Sequence, residues 1–173
     1  MSKPKPSKPV LRRKRRVENV SVIGWREWVA LPDFGVDAIK AKIDTGARTS
    51  AIHAFDIRPF TKRGVPWVSF VLRPEQRRRH PSLQCEAAVI DERKIRSSSG
   101  EQERRYVIEA EARLGDIAWP IELSLTNRDE LGFRMLLGRE AVRRRFLVNP
   151  DRSFLIGRSF ADISTTSNRK KPK

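Results

Sequence analysis

A single loop between two extended runs constrains this chain more than any other stretch. Residues 38–43 alternate apolar and basic side chains, which is typical of a half-buried strand, and residues 50–55 form a second extended run. Asp44, Thr45 and Gly46 lie between the two runs, and Gly46 allows a tight backbone turn. These three residues are also common in ordinary turns, so the tripeptide alone does not assign a function.

Short apolar or alternating runs recur along the rest of the chain. Gly115-Asp116 separates two of these runs and predicts a two-residue β-hairpin turn. The pattern predicts a loop over 58–64 and a short helix that begins at Gly138, within 138–145. Many short strands with one short helix favour an all-β, barrel-like fold. Apart from the two runs above, strands are predicted at 25–31, 66–72, 83–90, 106–114, 117–125, 133–137, 146–148 and 153–156.

A polar segment interrupts this pattern at 91–105. It carries many charged residues and has Ser97-Ser98-Ser99-Gly100 near its middle, so it cannot belong to the core. Two interpretations stay open, a hairpin arm and a mobile loop.

Charge is concentrated at the two ends of the chain. Of the 37 Lys and Arg residues, eight fall within 1–16 and four within 169–173, whereas 17–168 carries 25 basic and 21 acidic residues. We therefore expect disordered basic arms at 1–18 and 161–173 around one folded domain at 19–160. The arms would give at most a weak contact with an anionic partner such as RNA or a ribosome.

The apolar runs and the cysteine content indicate the cellular compartment of the protein. No apolar run approaches the roughly 20 residues that span a bilayer, and no apolar segment follows the basic N-terminus as in a secretory signal. The single cysteine, Cys85, excludes an intrachain disulfide. These features predict a cytoplasmic protein without membrane contact.

Two motifs stand in a fixed order, apolar-Asp-Thr-Gly-Ala at 43–47 and apolar-apolar-Gly-Arg at 136–139. Together with residues 22–27, 42–54 and 125–140, they resemble a retropepsin-like aspartic peptidase family that is labelled an ATP-dependent zinc protease. That family includes the RimB-type proteins linked to RimK-type glutamate ligases. The resemblance covers roughly residues 20–157 and implies a closed retropepsin barrel, one lobe per chain, in a homodimer.

The resemblance also implies roles for individual residues. Asp44 would be catalytic, the Thr45 hydroxyl would join the loops of two copies, and Gly46 would give the substrate backbone access. Residues 93–104 would form a flap with Gly100 at its tip. In this family the apolar pair of the second motif packs under the catalytic loop and its glycine allows close approach, here Leu136, Leu137 and Gly138.

The chemistry needs two carboxylates around one water, one as general base and one as general acid. Two charges about 4 Å apart interact by roughly 4 kcal/mol at an effective dielectric near 20, which is about three pKa units. One carboxyl therefore stays protonated. This chain has one Asp-Thr-Gly, so the second Asp44 must come from a second copy across a two-fold axis.

The family label promises zinc and ATP, but the residues do not support either. The chain has two histidines and one cysteine, and lacks His-Glu-x-x-His, Cys-x-x-Cys and a phosphate-binding glycine loop. Two interpretations of Cys85 remain. It is either a small buried residue of a strand, or it shares a metal ion with His53 and His80. We predict no metal and no cofactor.

Several residues are candidates for substrate binding: Ala47, Arg48, Ser99, Gly100, Arg128 and Arg134. A cation at Arg48 suits an acidic substrate or a C-terminal carboxylate, and the family's suggested substrates are polypeptides with glutamate tails. The alternative for Arg48 is a structural pair with Asp129 or Glu130. We expect His53 to be a strand histidine rather than a catalyst. The competing function is a non-catalytic module that binds peptides, RNA or ribosomes.

Overall fold

The computed structural model describes residues 20–75, 81–96, 102–127 and 132–157, and strands dominate this part of the chain. One 3-10 turn, Pro32–Phe34, and one short helix, α1 (Arg139–Val142), accompany them. The strands are β1 (Ser21–Gly24), β2 (Arg26–Leu31), β3 (Val36–Asp44), β4 (Ser50–His53), β5 (Phe55–Lys62), β6 (Val65–Leu72), β7 (Leu83–Arg96), β8 (Gln102–Leu114), β9 (Ile117–Thr126), β10 (Met135–Gly138) and β11 (Phe146–Asn149).

Nine of these strands form one sheet in the order β2-β3-β10-β4-β9-β8-β7-β6-β5. An additional pairing joins β2 to β8 through Ala30 and Arg113, so the strands from β2 to β8 close on themselves. β7, β6 and β5 continue the sheet outside this closed part. The all-β prediction is confirmed, and within the described residues so is the prediction of one short helix.

The strands share one apolar core, to which the closed part, β1 and β6 all contribute. Its largest fully buried side chains come from most of the strands, which shows that alternate residues point to the same interior. They are Phe70, Ile23, Leu31, Ile39, Ile52, Leu72, Ile108, Leu114, Leu123, Leu125, Met135 and Leu137.

The crossing that positions the candidate site is formed by β3, β10 and β4. β10 pairs in parallel with β3, which places Leu137 beside Ile43 and Gly138 beside Asp44. The other edge of β10 pairs antiparallel with β4, with Leu136 beside Ala51. The two strands that flank the Asp-Thr-Gly loop are thus held apart by the second sequence motif.

The described parts of the polar segment, residues 91–96 and 102–105, belong to a hairpin arm. β7 and β8 pair from Val89 and Ile108 out to Arg96 and Gln102, with a register shift near Asp91. Of the two interpretations of this segment, the hairpin is therefore confirmed for the described residues. The β8–β9 hairpin is confirmed as well, with Gly115 at a φ of 59° in its turn.

The loop predicted over 58–64 is wrong. Residues 55–62 form β5, which pairs with β6, and the turn is only Arg63-Gly64, both at positive φ. β5 is an edge strand, so Pro59 fits there without removing a ladder hydrogen bond that an inner strand would need. Its polar side chains reach solvent, which is why the segment has a loop-like composition.

The strand predicted over 153–156 is also wrong. Phe154 has a φ of 55°, and the N–H groups of Leu155 and Ile156 donate to the Glu27 carboxylate at 2.7 and 3.5 Å. A side chain thus takes the place of a neighbouring strand as hydrogen-bond acceptor, which an apolar sequence pattern does not reveal.

The predicted basic arms at 1–18 and 161–173 lie outside the described residues. Of the part that the structure describes, no helix is long and apolar enough to cross a membrane.

Candidate active site

The Asp44 carboxylate is held by the loop that follows it. Its Oδ1 accepts hydrogen bonds from the N–H groups of Gly46 and Ala47, both at 3.1 Å. These bonds need the tight turn, because the donors lie only two and three residues further along the chain. Asp44 is half-buried, while Thr45 and Gly46 are exposed. The loop therefore fixes one carboxylate oxygen and presents the group at the surface of a single chain.

The start of α1 holds the same loop from behind. The N–H of Arg139 donates to the carbonyl of Ala47 at 2.8 Å, and the N–H of Glu140 donates to that of Arg48 at 3.1 Å. The Arg139 guanidinium adds a bond to the carbonyl of Thr45 at 3.1 Å. The first N–H groups of a helix have no partner within the helix, so the loop carbonyls satisfy them. The Gly-Arg part of the second motif thus fixes the backbone of the Asp-Thr-Gly loop.

Gly138 is placed where no side chain fits. A Cβ on this residue would lie 2.6 Å from the carbonyl carbon of Thr49 and 2.8 Å from the nitrogen of Ser50, both backbone atoms. Its N–H donates to Ser50 Oγ at 3.1 Å. Leu137, the preceding residue, is fully buried beside Ile43, whereas Leu136 is only half-buried. The glycine therefore allows β10 to approach the end of the catalytic loop.

Two buried serines support this crossing and were not singled out in the sequence. Ser124 on β9 donates from Oγ to the carbonyl of Ser50 at 3.0 Å, and Ser50 in turn accepts from Gly138. Both serines are almost fully buried. The signal that could have found them is a small polar residue at an inward position of an apolar strand, because a buried hydroxyl needs partners.

A charged cluster on neighbouring strands reaches the end of the loop. Arg93 of β7 donates from Nη1 to Thr49 Oγ1 at 3.2 Å and to the Glu122 carboxylate of β9 at 2.7 Å. Its Nε donates to Asp91 at 2.5 Å. Arg93 lies within the segment predicted as a flap, but nothing in its spacing pointed to these partners.

The cluster shifts the pKa values of its members in the directions that ion pairing requires. The hydrogen bond from Arg93 lowers the pKa of Glu122, with a smaller contribution from the charge of Arg48. The same guanidinium lowers the pKa of Asp91. The two carboxylates, Glu122 first, raise the pKa of Arg93. All three groups are therefore charged at neutral pH.

Arg48 is exposed and lies close enough to Glu122 to act on its charge. The partners suggested by the sequence, Asp129 and Glu130, lie outside the described residues, as does the candidate Arg128. The structure thus shows a nearby carboxylate for Arg48 that the sequence did not indicate. The flap-tip candidates Ser99 and Gly100 also lie outside the described residues.

Arg134 is not brought to the loop. It precedes β10 and lies four residues before Gly138, which is about 13 Å along an extended strand. Its guanidinium lies over the Phe55 ring at 5.6 Å, and Arg73 contacts the same ring at 4.1 Å. Arg134 is a predicted substrate-binding residue, but β10 carries it toward the end of the crossing that is farther from Asp44.

The residues considered for a metal do not meet in the described part of the chain. Residues 20–75, 81–96, 102–127 and 132–157 contain no group of three His, Cys, Asp or Glu side chains that could hold a metal ion, and His80 lies outside them. His53 is buried on β4 and packs edge-on against Phe55, with ring centroids 4.3 Å apart. Cys85 is buried on β7, and its burial raises the thiol pKa to about 11.

The arrangement presents one oriented carboxylate per chain, on a loop fixed by α1, β10 and two serines. Such a carboxylate can accept a proton from water as a general base. Hydrolysis by paired carboxylates needs a second one within hydrogen-bond reach of the same water. Because Thr45 and Gly46 are exposed, a second copy of the loop can reach this face.

Comparisons with known proteins agree with this geometry. A family model described as "Retropepsin-like aspartic endopeptidase RimB" matches residues 22–159. A "Probable alpha-L-glutamate ligase" of Shewanella pealeana is 56% identical over 140 residues, which cover 81% of this chain and 31% of that protein. A protein of the same name from Parasynechococcus marenigrum is 48% identical over 136 residues, or 79% of this chain and 29% of that protein.

A solved structure is also similar. Lpg0085 of Legionella pneumophila, a protein of unknown function, superposes with a TM-score of 0.67 and 28% identity over 78% of this chain and 97% of that one. In contrast, this chain spans less than a third of the length of the two ligase-named relatives. Their name therefore describes a much longer protein.

Proposed function

Because the chain belongs to the RimB-like family of retropepsin-like aspartic endopeptidases, we propose that it is an aspartic-type peptidase whose water is activated by Asp44. The observation that carries this proposal is the Asp44 loop, in which two backbone N–H groups hold one carboxylate oxygen at 3.1 Å. An Asp in an ordinary turn also accepts such bonds, and what sets this loop apart is its support by the start of α1 and the close approach of Gly138.

The second carboxylate is proposed to come from a second copy of the chain. One Asp-Thr-Gly per chain supplies one such carboxylate, and a two-fold axis beside the exposed Thr45 and Gly46 brings two copies of Asp44 together. The two would share one proton, with the ionised Asp44 as base toward water and the protonated one as acid toward the peptide carbonyl.

The proposed substrates are polypeptides with acidic, glutamate-extended tails. Arg48 follows the catalytic loop directly and is exposed, so it can pair with a carboxylate of the substrate. The relatives named as glutamate ligases contain a region similar to this chain within a longer protein, which suggests chemistry on glutamate-linked products.

A cleavage assay tests the activity. The full chain is incubated with a peptide that ends in several glutamates and with a matched peptide that ends in glutamines, and the products are measured by mass spectrometry. We expect that wild type cleaves the glutamate peptide and that a chelator does not reduce this activity. We expect that Asp44→Asn does not cleave the peptide. Binding of the peptide by a folded wild type without cleavage would instead favour a non-catalytic peptide-binding module.

A mixing experiment tests the shared site. Wild type and Asp44→Asn are refolded together in varying ratios, and dimer formation is checked by mass. Random pairing at equal amounts leaves about one quarter of dimers with two carboxylates, so activity should follow the square of the wild-type fraction. A linear decline with complete subunit exchange would contradict the two-fold site.

A further inference from the structure

A glutamate side chain of the protein itself already binds an arginine at the rim of the candidate active site. The Glu122 carboxylate lies 2.7 Å from Arg93 Nη1, and the same nitrogen donates to Thr49 Oγ1 at 3.2 Å. Thr49 belongs to the segment that leads from Asp44 into β4. The guanidinium of Arg93 therefore lies at the edge of the loop that carries Asp44.

Arg48 supplies a second positive charge to the same carboxylate. It contributes to the lowered pKa of Glu122, after the hydrogen bond from Arg93. Arg48 belongs to the catalytic loop and Arg93 to β7. Arg93 contacts the Glu122 carboxylate directly, whereas Arg48 acts on it through its charge. This combination is a binding arrangement for one carboxylate.

Arg93 does not depend on Glu122 alone for its orientation. Its Nε donates to Asp91, two residues earlier on the same strand, at 2.5 Å. If Glu122 moves away, Asp91 and Thr49 still hold the guanidinium. The arginine is therefore prepared to receive another carboxylate in the same place.

Replacement of Glu122 by another carboxylate at Arg93 should cost little free energy. The Glu122 side chain is 49% exposed and that of Arg93 is 29% exposed, so both are accessible from solvent. Exposed ion pairs contribute little to stability. Glu109 of β8 also lies directly opposite Glu122 in the β8–β9 pairing, and like charges in that relation repel each other. Glu122 thus stays in place because of the arginines.

We infer that Arg93 and Arg48 form a carboxylate subsite beside the Asp44 loop, which Glu122 occupies until an acidic side chain of the substrate replaces it. The ligand is thus a glutamate or aspartate residue of a peptide, and this identity rests on the proposed function. The alternative is a plain clamp, in which the Arg93–Glu122 pair only fastens β7 to β9.

The two explanations predict opposite signs for one substitution. If Glu122 competes with the substrate, Glu122→Gln strengthens the binding of an acidic peptide, whereas Arg93→Gln weakens it. If the pair is a clamp, both substitutions loosen the same contact and weaken binding alike. A neutral peptide should be unaffected in the first case and affected in the second.

The experiment measures peptide binding in the Asp44→Asn full chain, where no cleavage interferes. Labelled peptides of equal length, one ending in glutamates and one in glutamines, are titrated by fluorescence anisotropy. We expect about threefold tighter binding of the glutamate peptide with Glu122→Gln and about threefold weaker binding with Arg93→Gln, as an exposed charge pair allows. The double variant should bind no more tightly than Arg93→Gln.

Matched controls lie elsewhere on the same sheet. Glu86→Gln breaks an exposed pair with Lys62 at 3.1 Å, and Arg113→Gln breaks an exposed pair with Glu111 at 3.2 Å. Both change the net charge as the test variants do and should leave the preference for glutamate unchanged. If a control variant changes the affinity for the glutamate peptide as much as the test variants do, the effect comes from net charge alone. That result would overturn the subsite.

The outcomes separate this inference from the proposed function. Equal weakening of both peptides by Glu122→Gln and Arg93→Gln would overturn the subsite, and so would the absence of measurable binding of the glutamate peptide. If the expected signs are found but wild type cleaves neither peptide, the subsite stands and the peptidase proposal fails. If wild type cleaves both peptides but the signs are not found, the peptidase stands without this subsite.

Discussion

Asp44 and Glu27 are two carboxylates that accept backbone N–H bonds, and they differ in where the donors come from. Asp44 takes its two from Gly46 and Ala47 in its own loop and is half-buried. Glu27 is fully buried and takes bonds from Gly24 nearby and from residues 155–157, which lie about 130 positions away. The first arrangement orients a group toward solvent, and the second fastens residues 155–157 to β2.

The comparison teaches that backbone donors alone do not make a carboxylate functional. The donors of Glu27 surround it and remove it from water, so it can stabilise the fold but cannot meet a substrate. Those of Asp44 engage one oxygen and leave the residue accessible. If this distinction is correct, substitutions at the two sites should separate activity from stability.

The largest effect is expected on activity at Asp44. Asp44→Asn keeps the shape of the side chain and an oxygen for the two N–H donors, but it cannot accept a proton from water. We expect a loss of about 10²–10⁴-fold in kcat/KM, as for other general acid–base groups. The melting temperature should stay close to that of wild type, because both groups are close in size. Retained activity, or a strong loss of stability, would remove the contrast with Glu27.

Next in size is the loss of stability at Glu27. Glu27→Gln replaces one accepting carboxylate oxygen by an NH₂ group, which leaves either the buried N–H of Gly24 or the partly buried N–H of Gly157 without an acceptor. We expect a loss of about 3 kcal/mol, or roughly 10 °C in melting temperature. The folded fraction should keep its kcat/KM. The exposed Glu86→Gln serves as control and should change stability by less than about 0.5 kcal/mol.

Glycines beside each carboxylate extend the comparison. A Cβ on Gly138 would lie 2.6 Å from the Thr49 backbone, and one on Gly157 would lie 2.2 Å from the carbonyl oxygen of Trp28. Alanine at either position should destabilise the protein by about 1–3 kcal/mol through overpacking. Only Gly138→Ala should also lower activity, because it displaces the end of the catalytic loop.

Gly132→Ala is the matched control, since a Cβ there would meet no described atom within 4 Å. Thermal unfolding and the peptide assay on the three variants give the test. Equal activity losses per folded molecule in Gly138→Ala and Gly157→Ala would mean that the two regions are not independent.

The sequence predicted the elements whose signals are local. The strand–loop–strand around Asp44, the β8–β9 hairpin and the glycine of the second motif follow from alternation, turn residues and a specific spacing. Prediction failed where distant groups decide the structure. Arg93 and Thr49 are 44 residues apart, and Glu27 and Leu155 are 128 apart, so no window contains both partners.

Edge position is the other source of error. Residues 58–62 have the composition of a loop, yet they pair with β6 because only one side of β5 needs a partner. Arg134, a predicted substrate-binding residue, precedes β10 and lies with its guanidinium over the Phe55 ring, a contact between residues far apart in the sequence.

The last expected effect concerns Cys85, a buried acidic group that shows what burial does without many hydrogen-bond donors. Burial raises the thiol pKa to about 11, against a smaller opposing contribution from the Leu72 backbone. The unfolded thiol titrates near 8.5. Below that pH both states hold the proton and stability does not depend on the thiol. As pH rises from about 8.5 toward 11, only the unfolded state loses its proton, so this group lowers the stability of the fold.

Thermal unfolding of wild type and Cys85→Ala between pH 7 and pH 10.5 measures this effect. The alanine variant should be less stable at neutral pH because of the lost side chain, but the gap should narrow as pH rises. The difference between the two curves removes the titration of lysines and of Tyr106, which both proteins share. The native thiol should also react slowly with a thiol reagent at pH 8 and rapidly in denaturant. If the stability difference between wild type and Cys85→Ala stays constant across this range, burial does not keep the thiol protonated. The contrast between Cys85 and the two carboxylates would then come from their hydrogen-bond donors and not from burial.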